Sequence, residues 1–311
     1  MTKILVTGGA GYIGSVLVPD LLTNGYEVTV VDNFMYKQAS LASSIKKENL
    51  SLVYGDVRDE SLMKTLIAKS DFVIPLAAIV GAPACDLDPV AAGSINKDSI
   101  LWLLKQLSPN QRIIMPTTNS AYGSGDKGNY CDENSPLNPL SRYARDKVVV
   151  EKALMELPNA TSFRLATVFG ISQRMRLDLL VNNFVYRALT DGFIVVFEGH
   201  FKRNYIHVLD VVQAFNLALK YEQEFSNEIF NVGLSEANIS KIELCKKIQE
   251  LIPSFTFLEA PLGKDPDQRN YIVSNSKIEG LGFKPSVSLT DGISELQKGL
   301  IMFNHKPFSN V

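Results

Sequence analysis

The stretch Thr7-Gly8-Gly9-Ala10-Gly11-Tyr12-Ile13-Gly14 decides the fold of this chain. It follows a short apolar run that predicts a buried strand, and it leads into a segment that predicts a helix. In such a unit Gly8 permits a tight turn, Gly11 lets a pyrophosphate approach the backbone, and Gly14 lets the helix pack closely on the strand. The N–H groups and the positive dipole end of the helix then face the phosphates. The stretch therefore predicts a dinucleotide-binding turn.

A carboxylate follows the second predicted strand. The apolar run 27–31 ends at Asp32, at the spacing expected for a side chain that binds the ribose hydroxyls of an adenosine. Because a carboxylate at this place repels a ribose 2′-phosphate, NAD is favoured over NADP. The turn and the carboxylate together predict an NAD-binding site.

Length and composition are those of an ordinary folded protein. The 311 residues can form one large domain or two, and the net charge of −2 gives no reason to expect nucleic acid or a membrane surface as a partner. Three cysteines, at positions 85, 131 and 245, lie far apart without metal-ligand spacing, so we expect free thiols and no metal. We find no signal peptide and no apolar run of the ~18 residues needed to span a membrane, so we expect a cytoplasmic protein.

Strands and helices alternate along the first half of the chain. Predicted strands lie at 3–6, 27–31, 50–54, 71–78, 111–118 and 162–169. Predicted helices lie at 12–24, 59–69, 90–107 and 143–157. Because parallel strands need crossover connections, this order predicts an α/β fold with a Rossmann-type doubly wound parallel sheet. We expect an NAD-binding domain at 1–169, joined by a returning strand near 227–233, and a smaller α/β substrate domain at 170–311.

A candidate catalytic pair lies in the predicted helix 143–157. Tyr143 and Lys147 are four residues apart, so the phenol and the ammonium share one face of that helix. A tyrosine is a poor base at its unperturbed pKa of about 10, and a nearby ammonium together with a positive nicotinamide ring favours the phenolate. Thr118 ends the preceding strand, where its hydroxyl can orient a substrate hydroxyl toward Tyr143. These residues predict proton abstraction coupled to hydride transfer.

The chain resembles the extended short-chain dehydrogenase/reductases of the nucleotide-sugar epimerase and dehydratase type. The likeness covers essentially all 311 residues. Thr118, Tyr143 and Lys147 fall on that family's Ser/Thr-Tyr-Lys triad. The other matching segments are the turn at 7–14, Asp32, Asp56-Val57, Leu76-Ala77-Ala78, 163–170, 203–208 and 281–285.

This resemblance implies a nucleotide-sugar substrate and two sets of ligand residues. Those expected at the cofactor are Gly8, Gly11, Tyr12, Ile13, Gly14, Asp32, Asn33, Asp56, Val57, Leu76, Ala77, Ala78, Asn96, Thr117, Tyr143 and Lys147. Those expected at the substrate are Thr118, Asn119, Ser120, Arg174, Arg176, Asn182, Asn183, Arg203 and Arg269. The resemblance also implies a homo-oligomer, a dimer or a tetramer, packed through the helices that contain Asn96 and Tyr143.

Two reactions of that family need side chains that this chain lacks. Sugar 4,6-dehydratases place an Asp-Glu pair directly after the catalytic threonine, and Asn119 and Ser120 stand there. The 3,5-epimerase-reductases use a cysteine and a histidine, and Ser120 and Leu179 occupy those positions. Because these reactions need the missing acids and bases, the sequence favours oxidation at C4, with the ketone released or reduced again from the other face.

A narrower resemblance concerns the arginine-bearing loop at 169–178 and the segment Ala77-Ala78-Ile79-Val80-Gly81-Ala82-Pro83. Both are similar to GDP-manno-heptose C4 dehydrogenases of bacterial capsule biosynthesis. This implies oxidation of GDP-D-glycero-D-manno-heptose to its 4-keto sugar. Two alternatives remain. One is a 4-epimerase acting on a UDP- or GDP-hexose, and the other is an NAD-binding sensor or scaffold without catalysis, which the intact triad disfavours.

Overall fold

The computed structural model of the protein describes residues 1–124, 130–261, 263 and 269–303. Its strands are β1 (Lys3–Thr7), β2 (Glu27–Asp32), β3 (Leu50–Tyr54), β4 (Phe72–Pro75), β5 (Arg112–Thr118), β6 (Tyr130–Cys131), β7 (Ala160–Leu165), β8 (Thr167–Phe169), β9 (Phe193–Val196), β10 (Lys202–His207), β11 (Glu228–Val232), β12 (Asn238–Ser240), β13 (Thr256–Glu259) and β14 (Ile272–Val273). Its helices are α1 (Gly14–Thr23), α2 (Glu60–Ile67), α3 (Ala82–Leu87), α4 (Pro89–Gly93), α5 (Ser99–Gln106), α6 (Arg142–Leu154), α7 (Leu180–Thr190), α8 (Val208–Lys220), α9 (Glu222–Phe225), α10 (Lys241–Leu251), α11 (Ser276–Gly280) and α12 (Leu289–Gly299).

Seven strands form one parallel sheet in the order β11-β7-β5-β4-β1-β2-β3. In its middle, Ile4 of β1 pairs with Val28 of β2 on one side and with Phe72 of β4 on the other. The chain order reverses between β1 and β4, and ligands of such sheets bind outside the carboxyl ends of the strands at this reversal. The predicted Rossmann-type doubly wound sheet is confirmed.

Apolar helix faces cover both sides of this sheet. One cluster packs α1 and α8 against it, with Leu17 and Phe215 among its buried side chains. The other packs α2, α5 and α6 on the opposite face, with Met63, Leu103 and Val150 buried. Because α8 comes after residue 169, the first cluster extends across the predicted domain boundary, and that boundary stays a prediction.

A buried ion pair ties α6 to β7. Arg164 Nη2 lies 2.7 Å from Glu151 Oε1, and the two side chains are 4 % and 5 % exposed. The Glu151 carboxylate also accepts hydrogen bonds from the hydroxyls of Thr117 and Ser162, at 3.0 and 2.7 Å. Buried charges are tolerated where they are paired and hydrogen-bonded. This network therefore fixes the position of α6 relative to the ends of β5 and β7.

The second half of the chain builds a smaller α/β layer. Its three-stranded sheet has the order β12-β10-β8, with β8 parallel and β12 antiparallel to β10. A third apolar cluster packs α7, α10 and α12 together, with Val185, Leu244 and Ile293 buried. Strand β11 returns to the large sheet and pairs with β7.

The structure differs from the predicted elements at three places. The single helix predicted at 90–107 is α4, a π-helical segment Ser94–Asp98, and α5. The strand predicted at 162–169 breaks at Ala166, so that β8 leaves the large sheet and pairs with β10. Helix α8 was not predicted, although its buried positions 208, 211, 212, 215, 218 and 219 follow a helical period.

Two further properties concern the described residues only. No helix among them is both long and apolar enough to cross a bilayer. Cys85, Cys131 and Cys245 are buried and form no disulfide with one another, and no group of His, Cys, Asp and Glu side chains in the described ranges is arranged to hold a metal ion.

Candidate active site

The glycine-rich turn between β1 and α1 lies against the segment that follows β4. Gly8 has a φ of +66°, and a Cβ atom there would lie 2.5 Å from the backbone nitrogen of Ala77. A Cβ atom on Gly14 would lie 2.5 Å from the carbonyl oxygen of Gly9, so the helix packs closely on the turn itself as well as beside the sheet. A side chain would clash at Gly8 or Gly14, and Gly8 and Gly11 border the adjoining cavity directly. This is the arrangement that phosphate binding at a helix N-terminus requires.

A cavity opens at the carboxyl ends of β1 to β4. The predicted cofactor residues in its wall are Gly8, Gly11, Asp32, Asn33, Asp56, Val57, Leu76, Ala77 and Ala78. The others, Tyr12, Ile13, Gly14, Asn96, Thr117, Tyr143 and Lys147, lie outside this wall. The cavity combines the phosphate-binding turn with the ribose-binding carboxylate, so it fits the adenosine and pyrophosphate parts of NAD.

Asp32 is fixed at the wall of this cavity by two backbone groups. Its Oδ2 accepts a hydrogen bond from the Ala10 N–H at 3.0 Å, and its Oδ1 accepts one from the Phe34 N–H at 2.8 Å. Each carboxylate oxygen can accept a second hydrogen bond. The fixed carboxylate is therefore suited to bind ribose hydroxyls.

Several residues of the same wall were not predicted to lie at the cofactor. They are Ala10, Val31, Phe34, Met35, Tyr36, Lys37, Gln38, Gly55, Ile79, Ile95 and Arg174. Residues 33–38 directly follow β2, and segments that follow strands at this edge line the ligand crevice of such folds. Their place after the strand was a usable signal, whereas Arg174, which comes from a distant loop, was expected at the substrate and not at this cavity.

Asn96 supports the cavity from behind. Its Oδ1 accepts a hydrogen bond from the Ile79 N–H at 2.8 Å, and its Nδ2 donates one to the Ile79 carbonyl at 2.8 Å. The side chain is fully buried in the π-helical segment. The Asn96 amide thus positions the backbone of Ile79, and its predicted contact with the cofactor stays a prediction.

The hydroxyl of Thr117 is engaged by other side chains of the protein. Its hydroxyl donates to Glu151 and shares a hydrogen bond of 2.9 Å with Ser162, which places it in the ion-pair network behind β5. Successive side chains of a strand point to opposite faces, so Thr117 and Thr118 cannot both face the site. The Thr117 hydroxyl thus belongs to this network, and its predicted contact with the cofactor stays a prediction.

Thr118 ends β5 and caps the short 3₁₀ segment Asn119–Tyr122. Its Oγ1 accepts a hydrogen bond from the Ser120 N–H at 3.1 Å and donates one to Ser120 Oγ at 2.9 Å. Arg269 Nη1 donates to the same Ser120 hydroxyl. Asn119 is fully buried, and neither polar atom of its amide has a hydrogen-bond partner among the described residues. A hydroxyl, a guanidinium and an unsatisfied amide thus meet at the end of β5.

Helix α6 brings Tyr143 and Lys147 to one side. Lys147 Nζ lies 5.9 Å from the centre of the Tyr143 ring and donates a hydrogen bond of 3.2 Å to the Pro116 carbonyl. Burial raises the pKa of Tyr143 to about 12 against the opposing charges of Arg176 and Arg269. Burial also lowers the pKa of Lys147 to about 8. The expected lowering of the phenol's pKa by Lys147 is not what the protein alone provides, since desolvation outweighs the nearby cations.

The two arginines of the loop between β8 and α7 take different places. Arg176 is paired with Asp178, and its charge acts on Tyr143. Arg174 is 2 % exposed and lies in the wall of the cofactor cavity, with its guanidinium carbon 3.6 Å from the centre of the Tyr36 ring. Arg174 therefore borders the cofactor cavity, and the substrate contacts expected for Arg174 and Arg176 stay predictions.

Tyr12 and Asn182 connect the glycine-rich turn to that loop. The Tyr12 hydroxyl donates to the Gly170 carbonyl at 2.7 Å. The Asn182 amide accepts from the Gly170 N–H at 3.0 Å and donates to the Arg176 carbonyl at 2.9 Å. These bonds hold the loop to the turn, and the ligand contacts expected for Tyr12 and Asn182 stay predictions. Asn183, half-buried one position later, donates to the Leu177 carbonyl at 3.1 Å and remains a predicted ligand.

Arg203 is buried on β10, near the end of the site that contains Arg269. Its Nη1 donates to the Lys202 carbonyl at 3.0 Å, and its guanidinium carbon lies 5.8 Å from the centre of the Tyr271 ring. Burial raises the pKa of Tyr205, and the charges of Arg203 and Arg269 both oppose that rise. The two arginines therefore act on one region, as a ligand with two phosphates requires.

Known proteins match this fold and this site over most of the chain. Residues 4–233 match the NAD dependent epimerase/dehydratase family. The chain is 28 % identical over 312 residues to a putative UDP-glucose 4-epimerase from Methanocaldococcus jannaschii, a match that covers 94 % of this chain and 96 % of that protein. It is 30 % identical over 315 residues to a dTDP-glucose 4,6-dehydratase from Actinoplanes sp., which covers 94 % and 96 % of the two chains.

A solved structure is similar to almost the whole chain. The UDP-glucose 4-epimerase from Thermotoga maritima, crystallised with UDP-glucose, superimposes with a TM-score of 0.84 at 28 % sequence identity. The superposition covers 98 % of this chain and 100 % of that one. The chain belongs to the NAD dependent epimerase/dehydratase family, and it is an enzyme with NAD as its cofactor.

Proposed function

We propose that this enzyme oxidises the C4 hydroxyl of a nucleotide-linked sugar to the 4-keto sugar. The proposed substrate is GDP-D-glycero-D-manno-heptose, and the proposed setting is bacterial surface-polysaccharide biosynthesis in the cytoplasm. The observation that carries this proposal is the pair Tyr143 and Lys147 on α6, near a β5 end that has Thr118 but no carboxylate after it. The names of the similar proteins, which include UDP-glucose and dTDP-glucose enzymes, support a nucleotide-linked sugar.

The proposed catalytic roles follow from the chemistry of four side chains. Thr118 orients the C4 hydroxyl, and Tyr143 takes its proton. NAD, when bound, supplies the acceptor for the hydride that leaves C4. Lys147, held by the Pro116 carbonyl, and Arg176 add the positive charge that favours the phenolate.

The nucleotide diphosphate is assigned to the basic groups on the far side of the triad. Arg203 and Arg269 act on the same buried phenol, and Arg269 also donates to Ser120. Guanidinium groups bind phosphate oxygens in a bidentate manner. Asn183 and Arg176, from the loop and helix opposite, complete the proposed set.

A 4-epimerase is the second candidate, and the names of two of the similar proteins favour it. It would use the same three catalytic residues and return the hydride to the other face of the 4-keto sugar. A dehydratase fits less well, because Asn119 and Ser120 are not acidic enough to act as the general acid for a leaving hydroxyl at neutral pH. Asn119 instead offers a buried amide whose hydrogen-bonding groups suit a sugar hydroxyl.

We further propose a symmetric homo-oligomer formed through the helices around Asn96 and α6. Leu87, Val90 and Val149, on α3, α4 and α6, are 74 %, 83 % and 45 % exposed. We expect light scattering to give a multiple of the 34.4 kDa chain mass, and Val90→Lys combined with Val149→Lys to reduce it. A wild-type mass of one chain at working concentration would contradict the proposal.

Replacing Tyr143 by Phe removes the proposed proton acceptor. We expect Tyr143→Phe to bind NAD almost normally and to lose single-turnover reduction of NAD by a factor of roughly 10² or more. The measurement is the rise in absorbance of reduced cofactor after mixing with the nucleotide sugar. Tyr221→Phe, far from the site at the end of α8, is the matched control. A variant that keeps most of the wild-type rate would assign the base to another residue.

The buried ammonium of Lys147 lowers the free energy of unfolding of the cofactor-free protein. Its pKa of about 8 lies below the ordinary 10.5, so the unfolded chain binds this proton more tightly and stability rises with pH between those values. We expect cofactor-free Lys147→Met to be more stable than the wild type by about 2 kcal/mol at pH 7, with a smaller difference at pH 10. Urea unfolding at several pH values measures this, and the variant should bind NAD more weakly. A stability difference independent of pH would refute the buried-charge explanation.

Product analysis separates the two candidate reactions. Wild-type protein is incubated with GDP-D-glycero-D-manno-heptose, GDP-mannose and UDP-glucose, with and without a 2-keto acid as hydride acceptor, and the products are identified by NMR. We expect a 4-keto heptose whose yield increases with the acceptor. A C4 epimer without any 4-keto product would favour the epimerase, and activity confined to UDP-hexoses would exclude the heptose. Tyr143→Phe provides the inactive control.

A further inference from the structure

Arg174 is a buried cation at a cavity it was not expected to reach. It is 2 % exposed, and its Nε and Nη2 atoms have no hydrogen-bond partner among the described residues. Its Nη1 makes one long contact of 3.4 Å with the Met175 carbonyl. Buried polar groups are normally hydrogen-bonded, and a guanidinium without such partners is costly. The unsatisfied donors therefore point to a ligand that the protein binds.

The loop that carries Arg174 is held to the phosphate-binding turn. Ser172 Oγ lies 2.8 Å from Ser15 Oγ and donates to the Tyr12 carbonyl at 2.7 Å. The Arg174 N–H is 3.3 Å from the same Ser15 hydroxyl. Ser15 lies in the first turn of α1, and its own N–H bonds the Gly11 carbonyl. Arg174 thus starts from the helix end at which phosphates bind in this fold class.

The ring of Tyr36 fixes the plane of the guanidinium. The guanidinium carbon lies 3.6 Å from the ring centre, and both side chains line the cofactor cavity. A stacked guanidinium keeps its N–H groups available around its edge, where they suit phosphate oxygens. Burial lowers the pKa of Arg174, and an anion in the cavity would offset that desolvation.

We propose that Arg174 binds the pyrophosphate of NAD, so that a loop from the second half of the chain shares the cofactor with the glycine-rich turn. The pyrophosphate is the anionic part of NAD and the part expected at the N-terminus of α1. The ribose end of the cavity has the Asp32 carboxylate, which disfavours an additional phosphate there. The proposal is independent of which sugar the enzyme oxidises, and its test uses no sugar.

Arg174→Gln removes a buried charge from the cavity wall, and Lys246→Gln, the control, removes an exposed charge from α10, outside that wall. Isothermal titration with NAD, ADP and adenosine measures their affinities in the purified, cofactor-stripped protein. We expect Arg174→Gln to weaken NAD and ADP by about 10- to 100-fold, as for the loss of charge-assisted hydrogen bonds, and to change adenosine by less than about threefold. Lys246→Gln should change all three by less than about threefold, because this exposed charge is screened and lies outside the cavity wall.

Thermal unfolding gives a second readout that a merely structural arginine would not produce. Because the buried charge is unsatisfied without ligand, Arg174→Gln should raise the melting temperature of the cofactor-free protein and reduce the further rise caused by NAD. Arg174→Lys keeps the charge but not the planar guanidinium, so its NAD affinity should lie between those of the wild type and Arg174→Gln. This variant also covers the case in which the glutamine variant does not fold.

Three results would overturn the proposal. An equal loss of affinity for adenosine would assign Arg174 to the base or ribose. A larger loss for NADP than for NAD would assign it to a 2′-phosphate. Unchanged NAD affinity, with a lower melting temperature in the absence of cofactor, would make the arginine a scaffold residue.

Discussion

The close approach of the glycine-rich turn to the end of β4 is the constraint on which the rest of the site depends. A Cβ atom on Gly8 would lie 2.5 Å from the nitrogen and 2.6 Å from the Cα of Ala77, so two backbones are in contact where two side chains would otherwise meet. From the other side, Asn96 holds the same segment by both hydrogen-bonding groups of Ile79. At the turn, the cavity wall is therefore backbone, which lets phosphates come close to N–H groups.

The sequence was sufficient to predict the sheet and the turn, because these depend on local patterns. Apolar runs of strand length, separated by helical segments, predict a parallel sheet, and the glycines with Asp32 predict the ligand at its edge. The sequence did not predict the hydrogen-bond partners of Asn96, Thr117 and Asn182, because these partners lie at other places in the sequence. Helix α8 was predictable from local sequence, because its buried positions follow a helical period directly after the basic segment.

Helix α6 carries two buried ionisable groups with opposite energetic roles. Glu151 is paired with Arg164 and bonded to two hydroxyls, so its burial is compensated. Lys147 is 3 % exposed, and a single carbonyl contact leaves its pKa near 8. Structural charges in folded proteins are satisfied, and groups kept at a cost are concentrated at functional sites. The contrast along one helix supports the catalytic role proposed for Lys147, whereas Glu151 is satisfied within the fold.

The loop between β8 and α7 places positive charge at both parts of the site. Arg174 lies in the cofactor cavity, and two residues later the charge of Arg176 acts on Tyr143. The Tyr12 hydroxyl and Ser172 hold this loop to the glycine-rich turn through hydrogen bonds of 2.7 Å. Because burial alone raises the pKa of Tyr143, a phenolate needs cations at fixed distances, and a freely moving loop would not provide them. The bonds that join the two halves of the chain are therefore a requirement of the chemistry proposed for Tyr143, as well as of the packing.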